Sequence, residues 1–143
     1  MLIATGNEGK YLGENDIGTY ISEDVGLTWQ LLVLGDHIYD ISDQGGLLVL
    51  VETGKPTKSI MFSWDKGASF SRMQVSDRTF FAAKVQTDKS NTGLVFIIHG
   101  VLDSEDHLGM IISVDFSRLM PRLCQIEGLA DFDLWTPEFS GNR

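Results

Sequence analysis

Two carboxylates recur in the same short frame. Ser22-Glu23-Asp24-Val25-Gly26-Leu27-Thr28-Trp29 and Ser63-Trp64-Asp65-Lys66-Gly67-Ala68-Ser69-Phe70 both read Ser-x-Asp-x-Gly-x-Ser/Thr-aromatic, 41 residues apart from Ser22 to Ser63. An aspartate flanked by hydroxyls could act as a general base or hold a cation. It could equally accept hydrogen bonds from the backbone N–H groups of its own turn, which is what short acidic side chains do beside a glycine. Turn chemistry explains every position: Gly26 and Gly67 reach φ > 0, and Thr28 and Ser69 return a hydroxyl to the turn. Trp29 and Phe70 open the outgoing strand and pack under the turn. The frame therefore reads as structural.

The other chemistry-bearing residues make weaker patterns. Asp103-Ser104-Glu105-Asp106-His107 crowds oxygen donors as calcium sites do, but it lacks the turn glycine and terminal glutamate of a calcium loop and reads as an acidic solvated loop. His37, His99 and His107 have no zinc-ligand spacing. His37 alternates with Tyr39 and Ile41, which places it in or against a sheet. Ser42-Asp43 near His37 supplies hydrolase residue types without a nucleophile-elbow sequence. No metal, cofactor or catalytic residue is expected. Trp64, at a variable position of the second frame, is expected to pack on a neighbouring unit, with a partner contact as the alternative.

The elements around these residues read as β-strands. Strand-like runs lie near Leu2–Thr5, Thr19–Ser22, Thr28–Val33, His37–Ile41, Gly46–Val51, Ser59–Ser63, Ser69–Val75, Phe80–Gln86, Leu94–Ile98 and Met110–Val114. Turns rich in Gly, Asn, Asp and Ser separate them. Each repeated frame sits between two strands and so closes a hairpin. A repeat of about 40 to 50 residues is the period of a β-propeller blade. The expected fold is all-β: about two and a half four-stranded antiparallel blades, with one complete blade from His37 to Val75. Propellers close with roughly four to eight blades, so two and a half leave open faces and edges. The chain is expected to be a fragment of a larger propeller.

Composition narrows the function classes. The 143 residues carry a net charge of −9, which opposes nucleic-acid binding. No apolar run approaches the roughly 18 residues of a membrane span, and Met1-Leu2-Ile3-Ala4-Thr5-Gly6 is not the start of a signal peptide. No Asn-x-Ser/Thr site is present.

The repeated frame resembles the Asp-box hairpin, in which Ser22, Asp24, Gly26, Thr28, Trp29 and Ser63, Asp65, Gly67, Ser69, Phe70 are the structural residues. Further motifs resemble one family in order and spacing. They are Ile3-Ala4-Thr5-Gly6-Asn7-Glu8-Gly9-Lys10-Tyr11-Leu12, the Gly35-Asp36-His37-Ile38-Tyr39 to Gly45-Gly46 segment, Pro56-Thr57, Val114-Asp115-Phe116, Arg122-Leu123-Cys124 and Asp131-Phe132-Asp133-Leu134-Trp135-Thr136-Pro137. Together they resemble the last part of the lumenal domain of sortilin-type vacuolar protein-sorting receptors. The resemblance implies a partial propeller over residues 1–120 and the start of a cysteine-rich module over 121–143. It implies non-catalytic binding of protein or peptide cargo on the lumenal side of Golgi and endosome membranes or at the cell surface. Membrane attachment would come only through a transmembrane segment outside this chain. It also implies a disulfide from Cys124 to a partner further along, and the remainder of the propeller as a partner. No ligand-contact residue can be carried over, because the family's best-understood peptide pocket lies on an earlier blade. Two alternatives are a sialidase-like glycoside hydrolase, which would need a carboxylate-gripping arginine cluster that Arg72, Arg78, Arg118, Arg122 and Arg143 do not reproduce, and a non-catalytic structural Asp-box propeller.

Overall fold

The computed structural model describes residues 1–9, 17–87, 93–106 and 108–119. Cys124 and the whole of 121–143 lie outside them, as does His107. Ten strands follow in order: β1 (Leu2–Asn7), β2 (Ile17–Ser22), β3 (Gln30–Leu34), β4 (His37–Ser42), β5 (Leu47–Glu52), β6 (Ser59–Ser63), β7 (Ser71–Gln74), β8 (Phe80–Gln86), β9 (Val95–Leu102) and β10 (Gly109–Asp115). They form three antiparallel meanders, β1-β2-β3, β4-β5-β6-β7 and β8-β9-β10. Among the described residues the fold is all-β, with one complete four-stranded blade between two three-stranded ones.

The expected strands are all present, and their ends differ by a few residues. The outgoing strands start at Gln30 and Ser71, after Trp29 and Phe70, because the preceding residues are held in the hairpin turn. β9 runs on to Leu102. Bulges interrupt the β2–β3 register at Thr19/Tyr20 and the β8–β9 register at Ala82/Lys84.

The sequence of β5 explains the stacking of the sheets. Successive strand residues point to opposite faces. In β5, Leu47, Leu48, Val49, Leu50 and Val51 are all buried, so both faces of the middle sheet are covered. Leu47, Val49 and Val51 join Ile60, Phe80, Phe96, Ile98 and Val114 in the core shared with the third sheet. On the other face, His37, Tyr39 and Ile41 of β4 lie in register with Glu52, Leu50 and Leu48. This face meets the first sheet: Tyr39 Oη donates to Ile3 O at 2.5 Å, and Thr5 Oγ1 to His37 O at 3.4 Å. Polar bonds also join the second and third sheets. Thr87 N donates to Asp40 Oδ2 at 2.6 Å, and Ser42 Oγ donates to Gly93 O.

Phe116, just beyond β10, is fully buried and anchors the interface of the second and third sheets. Its ring meets Phe62, Phe96 and Trp64 edge-on at centroid distances of 5.1, 5.6 and 6.1 Å. Offset and edge-on aromatic pairs add about 0.5–1.5 kcal/mol beyond area burial. Trp64 thus packs on the neighbouring blade.

Replacing Phe116 removes all three ring contacts and opens a cavity between sheets. Phe116→Ala is expected to lower unfolding stability by about 3–5 kcal/mol and Phe116→Leu by less, measured by denaturant unfolding. Equal stability of the alanine variant and the wild type would contradict this packing.

Candidate functional site: two carboxylate-locked hairpins

The two repeated frames join β2 to β3 and β6 to β7, at equivalent places in the first and second sheets. In the first, Ser22 ends β2 with its hydroxyl buried. Its Oγ donates to Asp24 Oδ1 at 2.8 Å and accepts from Gly26 N at 2.7 Å. Asp24 Oδ1 also accepts from Thr28 N at 2.8 Å, and Oδ2 from Thr28 Oγ1 at 2.7 Å. The second frame repeats the set. Ser63 Oγ donates to Asp65 Oδ1 at 2.7 Å and accepts from Gly67 N at 2.8 Å; Asp65 accepts from Ser69 N at 2.9 Å and Ser69 Oγ at 2.6 Å. Each carboxylate spends its acceptors on its own turn.

These donors stabilise the ionised form. Bonds from the Thr28 hydroxyl, the Thr28 N–H and the Ser22 hydroxyl lower Asp24 from 3.8 to about 2. Asp65 is likewise lowered to about 2, by the hydroxyls of Ser63 and Ser69 and then the Ser69 N–H. A general base working near neutrality needs its pKa raised toward the working pH. These two are displaced the other way.

The turn uses two left-handed residues where only glycine was expected to take φ > 0. Val25 has φ 64° and Gly26 φ 92°; Lys66 has φ 58° and Gly67 φ 92°. Leu27 N meets Asp24 O at 3.5 Å and Ala68 N meets Asp65 O at 3.2 Å. Positive φ at both central residues is the geometry of a type I′ turn, set here at the tip of the connection from Ser22 to Gln30 and from Ser63 to Ser71. A β-branched residue is strained there. Trp29 lies against its turn, with Nε1 donating to Gly26 O at 3.2 Å, while its outer side leaves it 41% exposed.

The hairpins flank an open cleft of about 460 Å³ lined by Ile21, Asp24, Leu31, Leu32, Asp65 and Lys66. Lys66 Nζ lies 3.5 Å from Glu23 Oε1, an exposed pair that links the two turns. Such pairs contribute about 0–1 kcal/mol.

The remaining candidates are not brought together. His37 and Ser42 lie at opposite ends and on opposite faces of β4; Ser42 Oγ bonds Gly93 O, while His37 Nδ1 is 3.3 Å from Thr19 Oγ1 and 3.2 Å from Gly35 O. No nucleophile–base pair exists between them. Asp103 accepts from the Thr79 hydroxyl at 3.3 Å. Among the described residues no group of three or more His, Cys, Asp or Glu side chains could hold a metal ion. Arg72, Arg78 and Arg118 lie on β7, in the β7–β8 connection and beyond β10.

A third, degenerate frame was missed in the sequence. Ser113-Val114-Asp115-Phe116-Ser117 ends the third strand of the third sheet, where Ser63 and Asp65 stand in the second. Asp115 Oδ1 accepts from Ser117 N at 2.9 Å, and the Ser117 hydroxyl and N–H lower its pKa. Ser117 replaces the glycine and Leu119 the hydroxyl residue. Phe116 replaces the exposed left-handed Val25 or Lys66 and turns inward as a core plug. The Ser-x-Asp at 113–115 was the legible signal.

A family model, Sortilin-Vps10 (sortilin, neurotensin receptor 3), matches residues 1–85, from β1 into β8. The chain belongs to the sortilin-Vps10 family. Similar relatives are each named vacuolar protein sorting/targeting protein 10. The one from Clavispora lusitaniae is 33% identical over 96% of this chain and 9% of its own length. Those from Talaromyces stipitatus and Lodderomyces elongisporus are 34% and 32% identical, over 96% and 95% of this chain and 10% of their own lengths. The chain thus spans about a tenth of the length of these sortilin-Vps10 relatives. No helix among the described residues is long and apolar enough to cross a membrane.

Three outcomes follow. Ser22→Ala or Ser63→Ala strands a glycine N–H and is expected to cost about 1–3 kcal/mol in denaturant unfolding; no change would contradict the lock. Val25→Asn relieves a β-branched left-handed residue and is expected to raise the melting temperature, by about 1 kcal/mol of stability; a lower melting temperature would contradict the turn assignment. A carboxylate with a depressed folded pKa adds stability above its unfolded pKa and loses it as pH falls through the folded value. The contribution of Asp24 and Asp65 is therefore complete at neutral and mildly acidic pH and is lost between pH 3.8 and about 2. In a pH series of thermal melts, Asp24→Asn/Asp65→Asn is expected to remove part of that acid limb; an acid limb unchanged in the variant would contradict the pKa assignment.

Proposed function

We propose that this chain is part of the lumenal cargo-binding domain of a sorting receptor acting between the Golgi and the endosome or vacuole. It works by non-covalent binding of protein or peptide cargo and performs no chemistry. One observation carries the reading: the match to sorting-protein relatives runs over almost the whole chain, at 32–34% identity in the three named above. The site geometry supports it, because both repeated carboxylates are engaged by their own hairpins. In this reading they are structural locks rather than catalytic or metal-binding groups. Residues 1–120 are propeller blades, and 121–143 begin a cysteine-rich module in which Cys124 pairs with a cysteine beyond this chain. The membrane anchor also belongs to the rest of the polypeptide.

The test is a sorting assay in the source cell. Disrupting the coding sequence is expected to divert soluble vacuolar proteins into the medium, and restoring the full reading frame to return them. Normal retention in the disrupted cells would overturn the receptor reading. Non-reducing peptide mapping tests the Cys124 assignment: a disulfide-linked peptide is expected, and a free thiol would contradict it.

A further inference from the structure

The two locked hairpins share one backbone and differ at their tips. Val25 and Lys66 take the same left-handed conformation, at φ 64° and 58°. The first tip carries Val25 and Leu27 where the second carries Lys66 and Ala68. The turn therefore does not require apolar residues at these two positions, and at Val25 it disfavours one. Val25 and Leu27 are nonetheless 85% and 84% exposed. Leu2 and Trp29, themselves part-exposed, converge on the glycine between them: a Cβ built on Gly26 would lie 3.7 Å from Leu2 Cδ1 and 3.8 Å from Trp29 Cζ2. Four large apolar side chains thus form one protruding knob, where single exposed ones would need no explanation. Backbone strain retained at an exposed site points to a role outside folding.

We propose that this knob docks a separate protein, one that presents an apolar groove edged by lysine or arginine. Stacked sheets do not supply the occupant. The middle sheet is covered on both faces, yet Lys66 and Ala68 at its own hairpin tip stay exposed. A further sheet laid on the first would leave Val25 and Leu27 open in the same way. Charge selects the partner. Glu23 and Asp24 stand beside the knob, and the nearby cation, Lys66, is paired with Glu23 at 3.5 Å. Complementary basic groups on the partner would fix its register, with Trp29 as the aromatic anchor. The acidic flank and the net charge of −9 oppose both an anionic bilayer surface and a second copy of this chain. The inference goes beyond the receptor reading and needs only the exposed tip.

Site-specific photocrosslinking tests it. The photoreactive residue p-benzoylphenylalanine is placed at Leu27 of the full-length polypeptide in source cells, with the same probe at Ala68 as the reference. Position 27 is expected to give an adduct with a different protein, several-fold more abundant than any from position 68. Mass spectrometry is expected to map it to an apolar groove bordered by Lys or Arg. Glu23→Lys and Val25→Asn are each expected to lower its yield several-fold, while Val25→Asn leaves the melting temperature at or above that of the wild type. Equal yields from the two positions would overturn the proposal, as would an adduct within the same polypeptide, with a second copy or with lipid. So would a mapped surface that is acidic, or a yield that neither substitution changes. Failure of the sorting assay would remove the receptor reading and leave this adduct unaltered.

Discussion

A strand can be buried at every position only if both faces of its sheet are covered. β5 meets that condition with Leu47 through Val51, and the rest of the structure follows from it. The first sheet must lie on the Leu48/Leu50 side and the third on the Leu47/Val49/Val51 side. His37, Tyr39 and Thr19 then serve the first contact, and Phe62, Phe96 and Phe116 the second. A continuous apolar run is unusual for an antiparallel sheet with a wet face; it is what a sheet enclosed between neighbours requires.

The repeated hairpins serve this stack at its rim. Each aspartate collects hydroxyl and N–H donors that a turn would otherwise leave to water, and it holds the outgoing strand at a fixed exit. The cleft between the hairpins has acidic residues in its lining, yet Asp24 and Asp65 are engaged by their own turns and Glu23 pairs with Lys66. In the third sheet the same frame has lost its glycine and hydroxyl, and Phe116 has gone into the core. One sequence frame thus gives a rim lock in two sheets and an inter-sheet plug in the third. The sortilin-Vps10 match from β1 into β8 covers both intact locks.

Much of this was legible in the sequence. Ser-x-Asp-x-Gly fixes the donors and the acceptor within eight residues, so the two locks could be read without knowing the fold. The ten strands could be read because turn residues bound each one. What could not be read was non-local. Val25 and Lys66 adopt φ > 0 inside turns held by the serine and aspartate bonds, against their own preference. Trp64 and Phe116 meet across more than fifty positions of sequence, and no local pattern announces that contact.

The central claim is that these three sheets are consecutive blades of a much larger lumenal domain. It is tested most directly by the size and membrane association of the native polypeptide, read by immunoblot of source-cell fractions with an antibody to residues 17–87. A membrane-bound species many times heavier than 15.9 kDa is the predicted result. A soluble species near 15.9 kDa would contradict it.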